Sequence, residues 1–194
     1  MTREEVRKFF DDAAADWDAS LVVNEKKVHQ ILDAAGVQED SVILDVACGT
    51  GVLFPYYLER KAAHITGVDL SPKMIHIARS KFSDSHLELL CGDIELLPVS
   101  RLYDCCVVYN AFPHFENPQR LIQHLAQWIR PGGRITIAHG MSLAALKKHH
   151  AGRAEHVSRE MLKVSELAEL LVPWFQVTLA ISDEEKYIVA GSRR

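Results

Sequence analysis

No apolar run in this chain reaches the roughly 20 residues that a membrane-spanning helix needs. The first twelve residues, Met1 to Asp12, are charged and carry no apolar stretch ahead of a small-residue cleavage site, so no secretory leader is expected. Cysteine is scarce. Cys48, Cys91, Cys105 and Cys106 are the four, and no two stand in the C-x-x-C spacing of a zinc or redox site. Free thiols in a reducing cytoplasm are the expectation. Positive charge is not in excess either: the formal net charge is −4, which disfavours a nucleic-acid backbone as partner. No internal repeat, low-complexity tract or interdomain linker is visible. With 48% hydrophobic and 25% charged residues, the composition excludes a disordered chain. At about 100–200 residues per domain, 194 residues predict one domain.

What is present is a regular alternation. Short apolar, β-branched runs lie at Val42–Val46, Ile65–Val68, His86–Cys91, Asp104–Tyr109 and Arg134–Ala138. Helical patterns separate them at Gly51–Lys61, Pro72–Phe82 and Pro118–Ile129. Near-continuous apolar strands separated by helices indicate a parallel sheet covered on both faces. Ser71-Pro72 and Asn117-Pro118 each place a capping side chain before a proline at the first helical position. Pro131-Gly132-Gly133 stops a helix and turns the chain into the fifth strand. Beyond Ala138 the pattern changes. His139–Val157 reads as a helix or loop insertion, and Ser158–Val172 as an amphipathic helix with Met161, Leu162, Leu167, Leu170 and Leu171 on its apolar side. Phe175–Ile181 and Tyr187–Ala190 are strands with a link so short that they must be antiparallel. The N-terminal Val6–Leu21 is helical, with Phe9, Phe10, Ala13 and Trp17 on one side.

The chemistry centres on Asp45-Val-Ala-Cys-Gly-Thr-Gly51, which follows the first strand and opens a helix. Glycines there let a ligand approach the backbone, and the helix N-terminus offers N–H groups to an anion. A P-loop needs Lys-Ser/Thr after its last glycine, but Val52-Leu53 stand there. A dinucleotide loop needs a third glycine, but Phe54 occupies its place. The remaining candidate carries a carboxylate in place of a pyrophosphate: S-adenosylmethionine.

Val42–Gly51 resembles motif I of class I S-adenosylmethionine-dependent methyltransferases, commonly D-x-G/A-C-G-x-G. Ile65–Met74 resembles the second motif and Cys91–Pro98 the third; Tyr103–His114 and Arg130–Ile137 resemble those at the fourth and fifth strands. The resemblance covers Val42–Ala138 in order. It extends to Phe9–Asp18, which is similar to the helix that precedes motif I in the small-molecule, ubiquinone/menaquinone-biosynthesis-like branch and caps the cofactor site there.

The resemblance implies a doubly wound α/β fold with a seven-stranded, mostly parallel sheet in the order 3-2-1-4-5-7-6 and a C-terminal antiparallel hairpin. It divides a single domain into an N-terminal helical cap (1–40), a cofactor-binding core (42–138), a substrate lid and helix (139–172) and the hairpin (173–194). It also implies roles. Gly49 and Gly51 meet the methionine part, with Ala47 in the same loop, and Asp45 holds the ammonium end directly or through water. Asp69, 18 positions after Gly51, accepts both ribose hydroxyls; Leu70 and Met74 pack on the adenine; Asp93 accepts its amino group and Ile94 contributes a backbone N–H. Asn110 ends the fourth strand, where the family keeps groups for donor and acceptor. The adenine- and glutamine-methylating branches carry Asn-Pro-Pro-Tyr there. Asn110-Ala-Phe-Pro-His114 departs from that and argues against both.

Histidine is the unusual residue. Of ten, six lie between His114 and His156. His114 and His139 follow the fourth and fifth strands, and ligands bind at the carboxyl ends of strands in open α/β sheets. Both are candidates, with Asn110, for the acceptor side, where an imidazole can remove a proton. A metal site built from His114, His139 and one of His149, His150 or His156 is the competing reading. No H-E-x-x-H or H-x-x-x-H pair supports it, and no metal is expected. The expected function is methyl transfer to a small-molecule acceptor by a monomer or homodimer without nucleic-acid or membrane partners. The alternative is a non-catalytic protein that senses S-adenosylmethionine or a metal through the histidine segment.

Overall fold

The computed structural model describes residues 1–150 and 154–194, with the side chains of Ser20 and of 148–150 excepted. Seven strands form one sheet: β1 (Val42–Val46), β2 (His64–Asp69), β3 (Leu87–Cys91), β4 (Tyr103–Tyr109), β5 (Ile129–His139), β6 (Phe175–Ser182) and β7 (Tyr187–Arg193). Their order is β3-β2-β1-β4-β5-β7-β6. The first five are parallel, and β7 runs antiparallel to both of its neighbours. Fold class and strand order are as the sequence implied.

The apolar strand runs are buried because both faces are covered. Alternation along β1 and β4 sends Leu44, Val46, Cys106 and Val108 into one core and Ile43, Cys105 and Val107 into the other. The adjacent cysteines thus belong to opposite faces. The described residues include seven helices: α1 (Arg3–Trp17), α2 (Glu25–Ala35), α3 (Phe54–Glu59), α4 (Pro72–Lys81), α5 (Pro118–Trp128), α6 (Leu143–His150) and α7 (Val164–Leu171). The expected caps are in place. Ser71 Oγ accepts from Met74 N–H at 3.1 Å, and Asn117 Oδ1 from Arg120 N–H at 2.9 Å. No helix among the described residues is long and apolar enough to cross a membrane.

Several boundaries differ from the sequence reading. Helix α1 starts at Arg3 rather than Val6, because Thr2 and Glu5 exchange capping-box hydrogen bonds. It ends at Trp17, and a 3-10 turn follows at Asp18–Ser20. The amphipathic stretch from Ser158 becomes a helix only at Val164. Arg159 N–H donates to Pro113 C=O at 2.8 Å, which draws this segment onto the turn after β4 instead. Strand β5 begins at Ile129, and the Pro131-Gly132-Gly133 stretch is accommodated by a register shift against β4 between Tyr103 and Cys105.

Candidate active site

A cleft opens across the carboxyl ends of β1 to β4. Its placement follows from topology. From β1 the chain moves outward to β2 and β3 on one side, and from β3 it crosses back to β4 on the other side of β1, which leaves a crevice at that point.

The loop after β1 supplies the floor. Ala47 and Gly49 both have positive φ, +56° and +57°, so the chain folds back on itself, and Cys48 N–H donates to Val68 C=O at 3.0 Å. A Cβ on Gly49 would meet no atom within 4 Å, so the empty side of this glycine faces cleft space. Gly51 differs. A Cβ there would lie 2.4 Å from the Phe54 ring and 2.8 Å from Phe82. This glycine admits a core ring, not a ligand, and is not among the cleft-lining residues. Cys48 is buried, and burial together with the charges of Asp45 and Asp69 pushes its thiol well up, so it stays protonated.

Asp69 ends β2 and stands in the cleft wall with 8% of its surface exposed. Gly49 N–H donates to its Oδ2 at 2.8 Å and Ser71 N–H to its Oδ1 at 2.8 Å. Burial raises its proton affinity and the two N–H groups lower it, for a net pKa of about 6. Asp45 lies beneath the loop and does not line the cleft. Burial and the neighbouring Asp69 charge push its carboxyl well above the usual range. Its Oδ2 is buried without a hydrogen-bond partner among the described residues.

Leu70, Met74, Asp93 and Ile94 line one end of the cleft with Asp69. Asp93 Oδ1 accepts Glu95 N–H at 2.9 Å, and Arg3 Nε stands 2.6 Å from its Oδ2. Arg3 also pairs with Glu95 at 3.3 Å, as does Arg120 at 2.6 Å. Burial raises the Glu95 carboxyl, but the two guanidinium groups outweigh it and hold the carboxyl below its usual range. The sequence reading missed Arg3 and Glu95. Arg3 lies 92 positions from Glu95 and no spacing rule connects them; only the acidic Asp93–Glu95 pair in an apolar surrounding hinted at a cationic partner.

The other end is aromatic. Phe10, Trp17, Tyr109, His114 and Phe115 line it. The Phe10 ring meets His114 edge-on at 5.0 Å and Trp17 at 5.5 Å. His114 Nδ1 is 2.8 Å from Val157 C=O. A carbonyl only accepts, so Nδ1 carries the proton and the basic lone pair of the neutral ring is on Nε2. Asn110 also lines the cleft, at φ +54°. Its Oδ1 accepts Gly140 N–H at 3.0 Å, so the amide fixes the turn after β5.

His139 does not join this group. It is buried to 1% exposure, packs edge-on against Tyr187 at 6.1 Å, and is not among the cleft-lining residues. The described residues therefore place His139 beside β7 and not in the wall of the cleft. His156 meets the Phe9 ring edge-on at 5.8 Å, and the side chains of His149 and His150 lie outside the described residues. Among the described residues, no group of three or more His, Cys, Asp or Glu is placed to hold a metal ion.

Comparison with known proteins points the same way. A family model described as a methyltransferase domain matches residues 43–133. The malonyl-[acyl-carrier protein] O-methyltransferase of Priestia megaterium is 31% identical over 140 residues, which are 70% of this chain and 51% of that one. The ubiquinone biosynthesis O-methyltransferase of Coxiella burnetii is 31% identical over 147 residues, 70% of this chain and 61% of that one. The chain thus spans about half to three fifths of the curated relatives it matches. In fold, magnesium protoporphyrin IX methyltransferase from Synechocystis, solved with bound S-adenosylhomocysteine, superposes with a TM-score of 0.77 at 19% identity and full coverage of both chains. The family match spans β1 through the start of β5, the stretch that builds the cleft floor and its acidic wall. The chain belongs to the class I S-adenosylmethionine-dependent methyltransferases.

Proposed function

We propose that this protein transfers a methyl group from S-adenosylmethionine to a nucleophile on a small, largely apolar molecule. The observation that carries the reading is one continuous cleft with an acidic, glycine-floored end and an aromatic end that holds His114. The first end fits the cofactor. Gly49 leaves open space where a side chain would stand, Asp69 presents a fixed carboxyl, and Asp45 Oδ2 is a buried acceptor without a partner among the described residues. When bound, S-adenosylmethionine supplies a methyl group on a positively charged sulfur, and the sulfur leaves neutral.

The residues of this chain do the rest. Asp69 takes the ribose hydroxyls, Asp45, behind the loop, reaches the ammonium end through water, and Leu70, Met74 and Ile94 give the adenine an apolar slot. Asp93, already shared with Arg3, closes that slot. Phe10, Trp17, Tyr109 and Phe115 exclude water from the aromatic end and hold the acceptor in line with the methyl carbon; such alignment supplies most of the catalysis. His114 Nε2 takes the proton that the nucleophile loses, while Val157 C=O holds the ring in the tautomer that makes Nε2 basic. The four free cysteines agree with a reducing compartment, and we place the protein in the cytoplasm.

The test is titration calorimetry with S-adenosylhomocysteine, followed by incubation of methyl-labelled cofactor with a metabolite extract. Binding and transfer of label to a small molecule are expected. His114→Ala should keep S-adenosylhomocysteine affinity and lose about 10²–10⁴-fold in label transfer. A protein that does not bind S-adenosylhomocysteine overturns the reading, and full transfer by the variant removes His114 from it.

A further inference from the structure

Helix α1 forms part of both ends of the cleft and is attached through the loops that build the cofactor end. Near its start, Arg3 pairs with Asp93 after β3. Just past its end, Asp18 Oδ1 accepts Thr50 Oγ1–H from the β1 loop at 2.5 Å. In the middle, Asp11 reaches the turn after β2. Its Oδ1 accepts Ser71 Oγ–H at 2.6 Å and Lys73 N–H at 3.3 Å, and its Oδ2 accepts from Arg7 at 2.7 Å. Asp11 is 8% exposed, Ser71 is fully buried, and Asp11 does not line the cleft.

Ser71 is the joint. Its hydroxyl donates to Asp11, and its backbone N–H donates to Asp69 Oδ1 at 2.8 Å. An unbroken chain of hydrogen bonds therefore connects α1 to the acid assigned to the ribose. The residue before Asp11 is Phe10, whose ring rests on His114 and Trp17 at the acceptor end. Successive residues of a helix point about 100° apart, so one turn of α1 addresses both ends at once.

We infer that Asp11 is a positioning residue that couples the cofactor site to the acceptor site. The inference rests on the cofactor reading given above. An occupied cofactor site fixes Asp69, Ser71 and, through Asp11, helix α1; α1 then sets the Phe10–Trp17 wall on which the acceptor is placed. Cofactor adds first, and the acceptor site is completed by that addition. Coupling between two binding events is reciprocal, so what loosens α1 also weakens cofactor binding.

The experiment compares the unaltered protein with Asp11→Ala and Asp11→Asn. It uses calorimetry with S-adenosylhomocysteine and trypsin cleavage at Arg7 and Lys8 of α1, with and without that ligand. S-adenosylhomocysteine should protect α1 of the unaltered protein. Asp11→Ala should bind it about 3- to 10-fold more weakly, the equivalent of one hydrogen bond, and at saturation its α1 should remain cleavable. Asp11→Asn keeps an acceptor for Ser71 Oγ–H and should recover part of the protection, which a merely destabilised helix would not do. Equal protection of Asp11→Ala and the unaltered protein at saturation overturns the inference alone. Absence of S-adenosylhomocysteine binding by the unaltered protein overturns the cofactor reading, and the inference with it.

Discussion

Asp69 is held between opposing influences, and its titration should be visible in binding. In the proposed role the carboxylate form accepts two ribose hydroxyl groups; the protonated form, which prevails below a pKa of about 6, has lost one acceptor site. S-adenosylhomocysteine affinity should therefore fall as pH drops below about 6, approaching about tenfold per pH unit, and Asp69→Asn should flatten that dependence. Calorimetry between pH 5 and 8 checks both. The sign for stability is the reverse. The folded pKa lies above the unfolded value of about 3.9, so the native state holds more proton between the two. Stability of the ligand-free protein should fall as pH rises from about 4 to about 6 on this account. The two glycines of the same loop should separate as cleanly. Gly49→Val fills cleft space and should abolish S-adenosylhomocysteine binding, and at a φ of +57° it should also cost about 1–3 kcal/mol of backbone strain without overpacking the core. Gly51→Val meets Phe54 and Phe82 and should cost about 1–3 kcal/mol or more of overpacking, read as a lower melting temperature. Sequence spacing gave these glycines one role. Only the packing of Phe54, which no sequence period announces, tells them apart.

Among the elements, α4 and α5 begin with the same device, a capping side chain followed by proline, and both were readable in the sequence. Their caps differ in what else they hold. Asn117→Ala should cost about 0.5–2 kcal/mol, the ordinary value for a lost cap. Ser71→Ala should cost more, because a buried oxygen of Asp11 also loses its donor, and it should weaken S-adenosylhomocysteine binding where Asn117→Ala does not. Denaturant unfolding with calorimetry distinguishes the two. The strands were legible because a sheet covered on both faces demands near-continuous apolar runs. The boundaries of α1 and α7 were less so. Thr2-x-x-Glu5 is a local signal that extends α1 by a turn, whereas α7 is shortened by a tertiary bond from Arg159 to Pro113 that no local pattern carries. The same holds at the site. Asp69 and Gly49 lie in motifs, but Arg3 and the Asp11–Ser71 joint exist only once α1 is laid over three loops, and the burial of His139 depends on β7 packing beside it.

At the scale of the molecule, one sheet separates two main cores. Strand order, not either core, locates the cleft. The order also places β7 between β5 and β6, and this has a consequence in time. Residues Phe175–Ser182 leave the ribosome before Tyr187–Arg193, yet among the described residues their neighbour in the sheet is β7. Until β7 has emerged, β6 has no place to dock, and β5 presents an open row of N–H and C=O groups to the surroundings. Closing the β6–β7 hairpin takes about 1–10 μs once both strands exist. Synthesis at roughly 5–20 residues per second is far slower. The exposure of the β5 edge on a nascent chain is therefore set by the ribosome, and a translational pause between residues 139 and 187 prolongs it for as long as the pause lasts.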